Sequence, residues 1–552
     1  MTALICALNT KYIHSSLAPW YLKASIAERY PSVKCDILEF TINESQDKLF
    51  EQITKREFDI IGFSTYIWNI EIVLSLCEKI KKSKNVKIFL GGPEVSYNSS
   101  ELLEKYPFID YIVAGEGEKP VAELCSGEVA LDEILGLCYR KDGKIITKEP
   151  FTSSDDPPYP YSDEYFESLK GRISYLETSR GCPYRCAFCL SGRCGGVRFF
   201  DLERSKKSIL ALSQGGSKTI KFVDRTFNAD KKRARELFSF IIDNCGEKIP
   251  SDVCFHFEIE GDILDDETIE LLSKAKSGLF QMEIGLQSFN PQTLTAINRK
   301  ANTDRLCENI KKLILLGNIH IHIDLIAGLP YEDIKSIAES FNKALSLRPH
   351  MLQLGFLKLL HGAKLRENPE LLPCEYRKDA PYEVTETKWL SREELTLLHT
   401  IEDFFDKFYN SGRFPRLEKY IFETVKNPFE FYTGLALFVK ETQESHSLDA
   451  LSLCIYNYLA KIDDLDIDIV RDLMAMDRLA TNREGALPEF LKIHSPKLKE
   501  YLNMLEGDPK TKSKKGIKRA ITLLKTENAF VYVDYDTKNP VTKEYELIKY
   551  II

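Results

Sequence analysis

Apolar positions fall into two alternating textures along the first two thirds of the chain. From residue 2 to about 125 there are short runs that are apolar almost throughout: "TALICALN", "VKCDILEF", "FDIIGFSTY", "NVKIFLGG" and "DYIVAGEGE". Between them lie stretches such as "SLAPWYLKASIAERY" and "NIEIVLSLCEKIKKS", where apolar residues recur at helical spacing. Strands apolar on both faces, alternating with amphipathic helices, predict a doubly wound parallel sheet of Rossmann-like α/β class. Such sheets bind ligands at the carboxyl ends of their strands. Those ends carry Ser64-Thr65-Tyr66, Gly91-Gly92-Pro93-Glu94 and Gly115-Glu116-Gly117-Glu118. Glycines there admit a ligand close to the backbone, and they equally serve as plain turns.

A small element, "LDEILGLCYRKDGKII", completes a first domain over residues 1–150. The prolines and acids of "SSDDPPYPYSDEY" make residues 151–170 a linker. Over 171–375 the alternation resumes with six strands: "RISYLETS", "TIKFVDRTF", "DVCFHFEIEG", "FQMEIGLQS", "HIHIDLIAGLP" and "MLQLGFLKLL". Six βα units predict a partial (β/α)6 barrel, smaller than the closed eight-unit form. Residues 376–552 read as mainly helical, through "LSREELTLLHTIEDFFDKFY" and "LDALSLCIYNYLAKI".

The 552 residues suit three or four domains at roughly 150 residues each. A net charge of −8 argues against a general nucleic-acid or membrane-surface binder. "MTALICALNT" runs straight into a strand, and no apolar run of about 18 residues occurs, so a cytoplasmic protein is expected. In that setting the 14 cysteines point to reduced thiols around a metal site rather than to disulfides. The basic run Lys510-Thr511-Lys512-Ser513-Lys514-Lys515 reads as a solvated loop, or as a contact for tRNA or an acidic substrate.

Three cysteines stand apart. In "TSRGCPYRCAFCLSG", Cys182, Cys186 and Cys189 follow the spacing C-x-x-x-C-x-x-C after the first barrel strand, where barrel active sites form. Three thiolates hold three irons of a [4Fe–4S] cluster and leave the fourth open, whereas a ferredoxin-type carrier uses four. Cys194 is the rival fourth ligand, and a zinc site built from all four cysteines is the structural alternative.

With Phe188 before its last cysteine, this motif resembles that of the radical S-adenosylmethionine (SAM) superfamily. "FVDRTFNAD", which contains Asp224, "MEIGLQSFNPQTLTAINR" and "DLIAGLP" resemble its later strand segments. The resemblance implies that the open iron chelates SAM. "DIIGFSTY", "IFLGGPEVS" and "YIVAGEGEKP" resemble the cobalamin-binding domain that precedes the barrel in one large subgroup. That likeness implicates Ser64, Thr65, Gly91, Gly92, Gly115 and Glu116 in holding the corrinoid's nucleotide tail. The D-x-H-x-x-G loop of other cobalamin domains is absent; the loop reads "LNTKYIHSSLAP", and His14 is expected not to ligate cobalt. The C-terminal part resembles a domain with no assigned role.

Polar residues recur with period two on the third, fourth and fifth barrel strands: His256, Glu258 and Glu260; Gln281, Glu283 and Gln287; His320, His322 and Asp324. Such a set is costly to bury without ligands or mutual hydrogen bonds, so a polar lumen is expected; the alternative is a face turned outward or a structural network. By resemblance, Glu283 and Gln287 are the SAM candidates, Phe188, Asp224 and Asp324 are further cofactor-binding candidates, and Glu258, His256 and His322 are left as catalytic candidates that orient substrate.

The expected activity is a cobalamin-dependent radical SAM reaction under anaerobic conditions. Its cofactors are a [4Fe–4S] cluster, SAM and cobalamin, and its reducing partner is a donor such as flavodoxin or ferredoxin. Methylation of an unactivated carbon leads, on a small-molecule or a peptide- or tRNA-borne substrate. Cyclisation, rearrangement or reduction with the same cofactors is the alternative, and a cobalamin sensor or carrier with a structural cluster is the rival from another class.

Overall fold

The computed structural model describes residues 1–442, 445, 447–483, 486–507 and 521–552, with backbone alone at 194, 506, 507, 534 and 536. The basic run at 510–515 lies outside the described residues.

The N-terminal sheet has the order β2-β1-β3-β4-β5-β6-β7. Its first five strands, β1 (Thr2–Asn9), β2 (Lys34–Thr41), β3 (Ile60–Ser64), β4 (Lys87–Gly91) and β5 (Tyr111–Val113), are parallel. The element after residue 130 is an antiparallel hairpin, β6 (Leu137–Lys141) and β7 (Lys144–Ile146), that extends the edge beside β5. β3 is buried at every residue and β1 at all but its first, because helices cover both faces. The reversal of strand order between β1 and β3 opens a crevice at their carboxyl ends.

The segment read as a linker is packed rather than free. Tyr161, Tyr165 and Leu169 are buried, the Tyr161 hydroxyl donates to Tyr175 O at 3.0 Å, and Tyr165 meets Trp20 edge-on. Its prolines break regular structure as expected, but its tyrosines bring enough apolar surface to be worth burying.

The barrel sheet has the order β15-β14-β13-β12-β11-β8, all parallel. The strands are β8 (Ser174–Leu176), β11 (Thr219–Phe222), β12 (Cys254–Ile259), β13 (Phe280–Gln287), β14 (Ile319–Ala327) and β15 (Met351–Phe356). Between β8 and β11 an antiparallel ribbon, β9 (Ser179–Gly181) and β10 (Val197–Phe199), frames the cysteine loop. β12 and β13 alternate buried and half-buried residues. Their apolar phase packs outward: Phe222, Phe257 and Phe280 meet Phe238 of the helix Lys231–Asn244 and Phe227 in one aromatic cluster.

The C-terminal region begins with a hairpin, β16 (Cys374–Tyr376) and β17 (Val384–Thr387), and continues through five helices between Arg392 and Thr481. It ends in a three-stranded antiparallel sheet, β18 (Ile521–Leu523), β19 (Ala529–Lys538) and β20 (Tyr545–Ile551). "Mainly helical" is therefore incomplete. The buried Arg471–Asp472 pair on the helix Ile467–Thr481 holds that sheet, with Arg471 donating to Leu523 O at 2.7 Å and Asp472 accepting from the backbone of Lys525 and Thr526.

Candidate functional site

Two cavities open at the carboxyl ends of the two sheets and meet between them. The smaller, about 230 Å3, is lined by Cys182, Cys186 and Cys189 together with Phe188. Glu258, Glu283, Gln287 and Asp324 line the same cavity, so the polar phase of three adjacent strands shares its space with the thiols. Cys182 Sγ lies 3.3 Å from Thr226 Oγ1, and Cys186 Sγ lies 3.9 Å from Arg299 Nη1. Burial raises the Cys186 thiol, and Arg299 opposes that rise.

Behind the wall is a network of ionisable groups. Glu283 Oε2 lies 3.0 Å from His256 Nε2, 3.4 Å from Lys221 Nζ and 3.8 Å from His322 Nδ1. His322 Nε2 lies 2.7 Å from Asp324 Oδ1. Burial acts to raise the Glu283 carboxyl, but the His256 hydrogen bond and the charges of Lys221 and the histidines outweigh it, holding it down to about 2. For His322 burial lowers and Asp324 raises, and the carboxylate prevails. His320 stacks on His350, and burial drives it down to about 3, so it is neutral at ordinary pH. Of the three catalytic candidates, Glu258 lies on the cavity wall, while His256 and His322 flank Glu283 outside the lining. Glu258 faces Arg225 at 3.8 Å, and burial raises its carboxyl against the pull of that guanidinium.

Asp224 does not line either cavity. Fully buried, it accepts from Thr178 N at 2.9 Å and from the Thr178 and Ser179 hydroxyls at 2.6 Å each. Burial pushes its carboxyl up to about 6 in spite of these donors. Its place is at the root of the cysteine loop, tying β9 to the end of β11.

The larger cavity, about 660 Å3, lies over the N-terminal sheet, and Ser64, Gly91, Gly92, Gly115 and Glu116 all line it. The Ser64 hydroxyl is buried with no hydrogen-bond partner among the described residues, so it is free for a ligand. At Gly91 a Cβ would be in ordinary contact with Val113 O at 3.6 Å, without a clash. Thr65 lies behind this wall, its hydroxyl donating to Gly91 O at 2.7 Å. At Gly92, with φ +116°, a Cβ would stand 2.5 Å from Thr65 O. Glu116 is already engaged by Arg180 and Arg198. His14 also lines this cavity, with Nδ1 2.7 Å from the Tyr175 hydroxyl, and burial lowers its pKa. The aromatic rings of Tyr66 and Trp68, stacked at 4.4 Å, form another part of the wall.

Sequence reading missed three arginines. Arg225 and Ser191 border both cavities. Arg299 lines the smaller one and pairs with Glu260 Oε2 at 2.8 Å. Arg180 lines the larger, two residues before the first cysteine of the cluster motif. Each stands inside a segment already marked by its pattern, and only the fold shows what it faces.

Three family models match the chain in sequence order: the B12 binding domain at residues 4–125, the Radical SAM superfamily at 176–344, and a protein family of unknown function, DUF4080, at 373–541. An uncharacterized methyltransferase of Pyrococcus horikoshii is 26% identical over 379 residues, which is 64% of this chain and 80% of that protein. The cobalamin-dependent radical SAM methyltransferase TokK of Streptomyces tokunonensis is 24% identical over 326 residues, 54% of this chain. That match spans about half of TokK, 47% of its length. Among solved structures, the cobalamin-dependent radical SAM enzyme OxsB superposes with a TM-score of 0.62 at 15% identity, over 93% of this chain and 82% of that one.

The residues present suit the cofactors that these families use. Three thiols share one cavity wall, with no fourth thiol there among the described side chains, as a cluster with one open iron requires; the Cys194 side chain lies outside the described residues. The glycine-walled cavity with its orphaned Ser64 hydroxyl leaves room for a corrinoid's polar tail. The chain joins a B12 binding domain to a radical SAM superfamily domain, and its cofactors are a [4Fe–4S] cluster, SAM and cobalamin.

Proposed function

We propose that this enzyme methylates an unactivated carbon of a polar substrate held where the two cavities meet. The observation that carries this reading is the shared border at Arg225 and Ser191: a molecule placed there touches the space beside the cysteines and the space over the N-terminal sheet at once. When bound, the cluster and SAM supply the hydrogen-abstracting radical, and cobalamin supplies the methyl group.

The chain's own residues bind and orient. Glu258 and Arg225 face each other without a hydrogen bond between them, and both are free to turn to polar groups of the substrate. Glu283, Gln287 and Asp324 form the SAM side, while His256 and His322 keep Glu283 anionic and fixed from behind. The reducing electron comes from an external donor of flavodoxin or ferredoxin type. Relatives named as methyltransferases support methyl transfer over other radical outcomes.

The test is anaerobic turnover with SAM trideuterated on its methyl group. Methylation yields S-adenosylhomocysteine and 5′-deoxyadenosine together, and a trideuterated product. Formation of 5′-deoxyadenosine with substrate consumed but no S-adenosylhomocysteine would place the reaction among cyclisations, rearrangements or reductions instead.

A further inference from the structure

The ribbon β9–β10 has an arrangement that is unfavourable by itself. Arg180 on β9 and Arg198 on β10 are directly paired across the strands, and like charges so placed repel. A single carboxylate resolves this: Glu116 Oε2 lies 2.7 Å from Arg180 Nη1 and 2.8 Å from Arg198 Nη2. Glu116 comes from the other domain, in the loop between β5 and the helix Glu118–Ser126. Arg180 is held further by Glu118 at 2.6 Å and Glu177 at 2.9 Å, and its guanidinium lies over the rings of Tyr21 and Phe200. The cluster is largely buried, with Arg180 17% and Glu116 16% exposed.

The position of this knot in the chain gives it meaning. The two arginines mark the legs of the loop that carries Cys182, Cys186 and Cys189, one just before it and one just after. Glu116 adjoins Gly115, and both line the larger cavity. That loop has little freedom to yield: Gly115 has φ +88°, its N–H donates to Ser96 Oγ at 3.1 Å, and a Cβ there would stand 2.2 Å from Phe151 O. A shift of the loop against a ligand therefore moves Glu116, and Glu116 moves both legs of the cysteine loop. Breaking one partner of a buried ionic knot leaves the other charges uncompensated, so the arrangement is held as a unit.

We propose that Glu116, gripping Arg180 and Arg198, couples the corrinoid site to the cluster loop, so that each cofactor tightens the binding of the other. Arg180 and Glu116 act here as positioning residues, and the coupling is reciprocal by linkage. It rests on the two cofactor sites and not on which group is transferred.

The experiment is an anaerobic titration of hydroxocobalamin into the full chain, once with the cluster reconstituted and once after iron chelation. In the wild type the Kd with cluster is expected to be lower by about fivefold or more, the lower end of ordinary coupling between sites. In Glu116→Gln the two arginines lose their shared charge, and the ratio of the two Kd values is expected to fall to within about twofold of one. The electron paramagnetic resonance signal of the reduced cluster should shift on cobalamin addition in the wild type and stay fixed in the variant, a difference that general loss of stability does not produce. Should Glu116→Gln fail to fold, Arg180→Lys serves in its place: one ammonium cannot fork to several carboxylates, and the ratio should drop to less than half of wild type. A wild-type ratio within twofold of one, or a folded variant that keeps the wild-type ratio, overturns the proposal. Both readouts are of binding and spectrum, so failure here is distinct from failure to detect S-adenosylhomocysteine.

Discussion

Replacing Glu283 with Gln tests the charge network of the barrel wall quantitatively. Its carboxylate has Lys221, His256 and His322 within 3.8 Å and is 24% exposed, toward the cavity. Folding takes its pKa from the ordinary 4.5 to about 2, which at 1.36 kcal/mol per tenfold amounts to about 3 kcal/mol. Partial exposure to cavity water reduces that to about 2 kcal/mol for Glu283→Gln near neutral pH. The sign follows from both partners. A lowered carboxyl contributes stability that is present above its unfolded pKa and lost as pH falls from about 4.5 toward 2. The raised His322 contributes stability that is fully present below its unfolded value of 6.5 and lost as pH rises through its folded value. The penalty of the variant should therefore be greatest between about pH 4.5 and 6.5, shrinking on either side. Urea unfolding of wild type and variant from pH 4 to 8.5, with the slope on denaturant checked for equality, measures it. A difference below about 0.5 kcal/mol at pH 6, or one flat across the range, would refute the reasoning.

Three further outcomes are expected. Alanine at Cys182, Cys186 or Cys189 should abolish cluster iron and SAM cleavage, and alanine at Cys194 should leave both, as iron assay and 5′-deoxyadenosine formation will show. Gly91 lines the larger cavity, and Gly91→Leu brings its Cβ into ordinary contact with Val113 without backbone strain, so it should keep the wild-type melting temperature within a few degrees while weakening cobalamin at least about tenfold by equilibrium dialysis. Phe257→Ala removes the centre of the aromatic cluster between barrel and helices and should cost about 3–5 kcal/mol in urea unfolding; a loss below 1 kcal/mol would show that the cluster is loosely packed.

Local pattern determined much of this protein. Continuous apolar strands in the first domain and alternating ones in the second follow from whether one face or two are covered, and both textures are written in the order of residues. The cysteine spacing needs no fold to be seen, and the period of two on β12, β13 and β14 put Glu258, Glu283 and Asp324 on one face before any sheet was assembled. What the tertiary structure decided were contacts between segments far apart in sequence. Thr65 and Asp224 adjoin the right loops, yet their hydroxyl and carboxylate turn inward to Gly91 O and to Thr178 and Ser179. The tyrosines of the segment read as a linker acquire their role from Trp20, and "AFVYVDY" becomes the central strand of a sheet through pairing with β18 and β20. Glu116 shows the reason most plainly. Its chain neighbours mark it as part of a ligand loop, but the charges that fix its direction belong to Arg180 and Arg198, 64 and 82 residues away, and period and propensity carry no information across that distance.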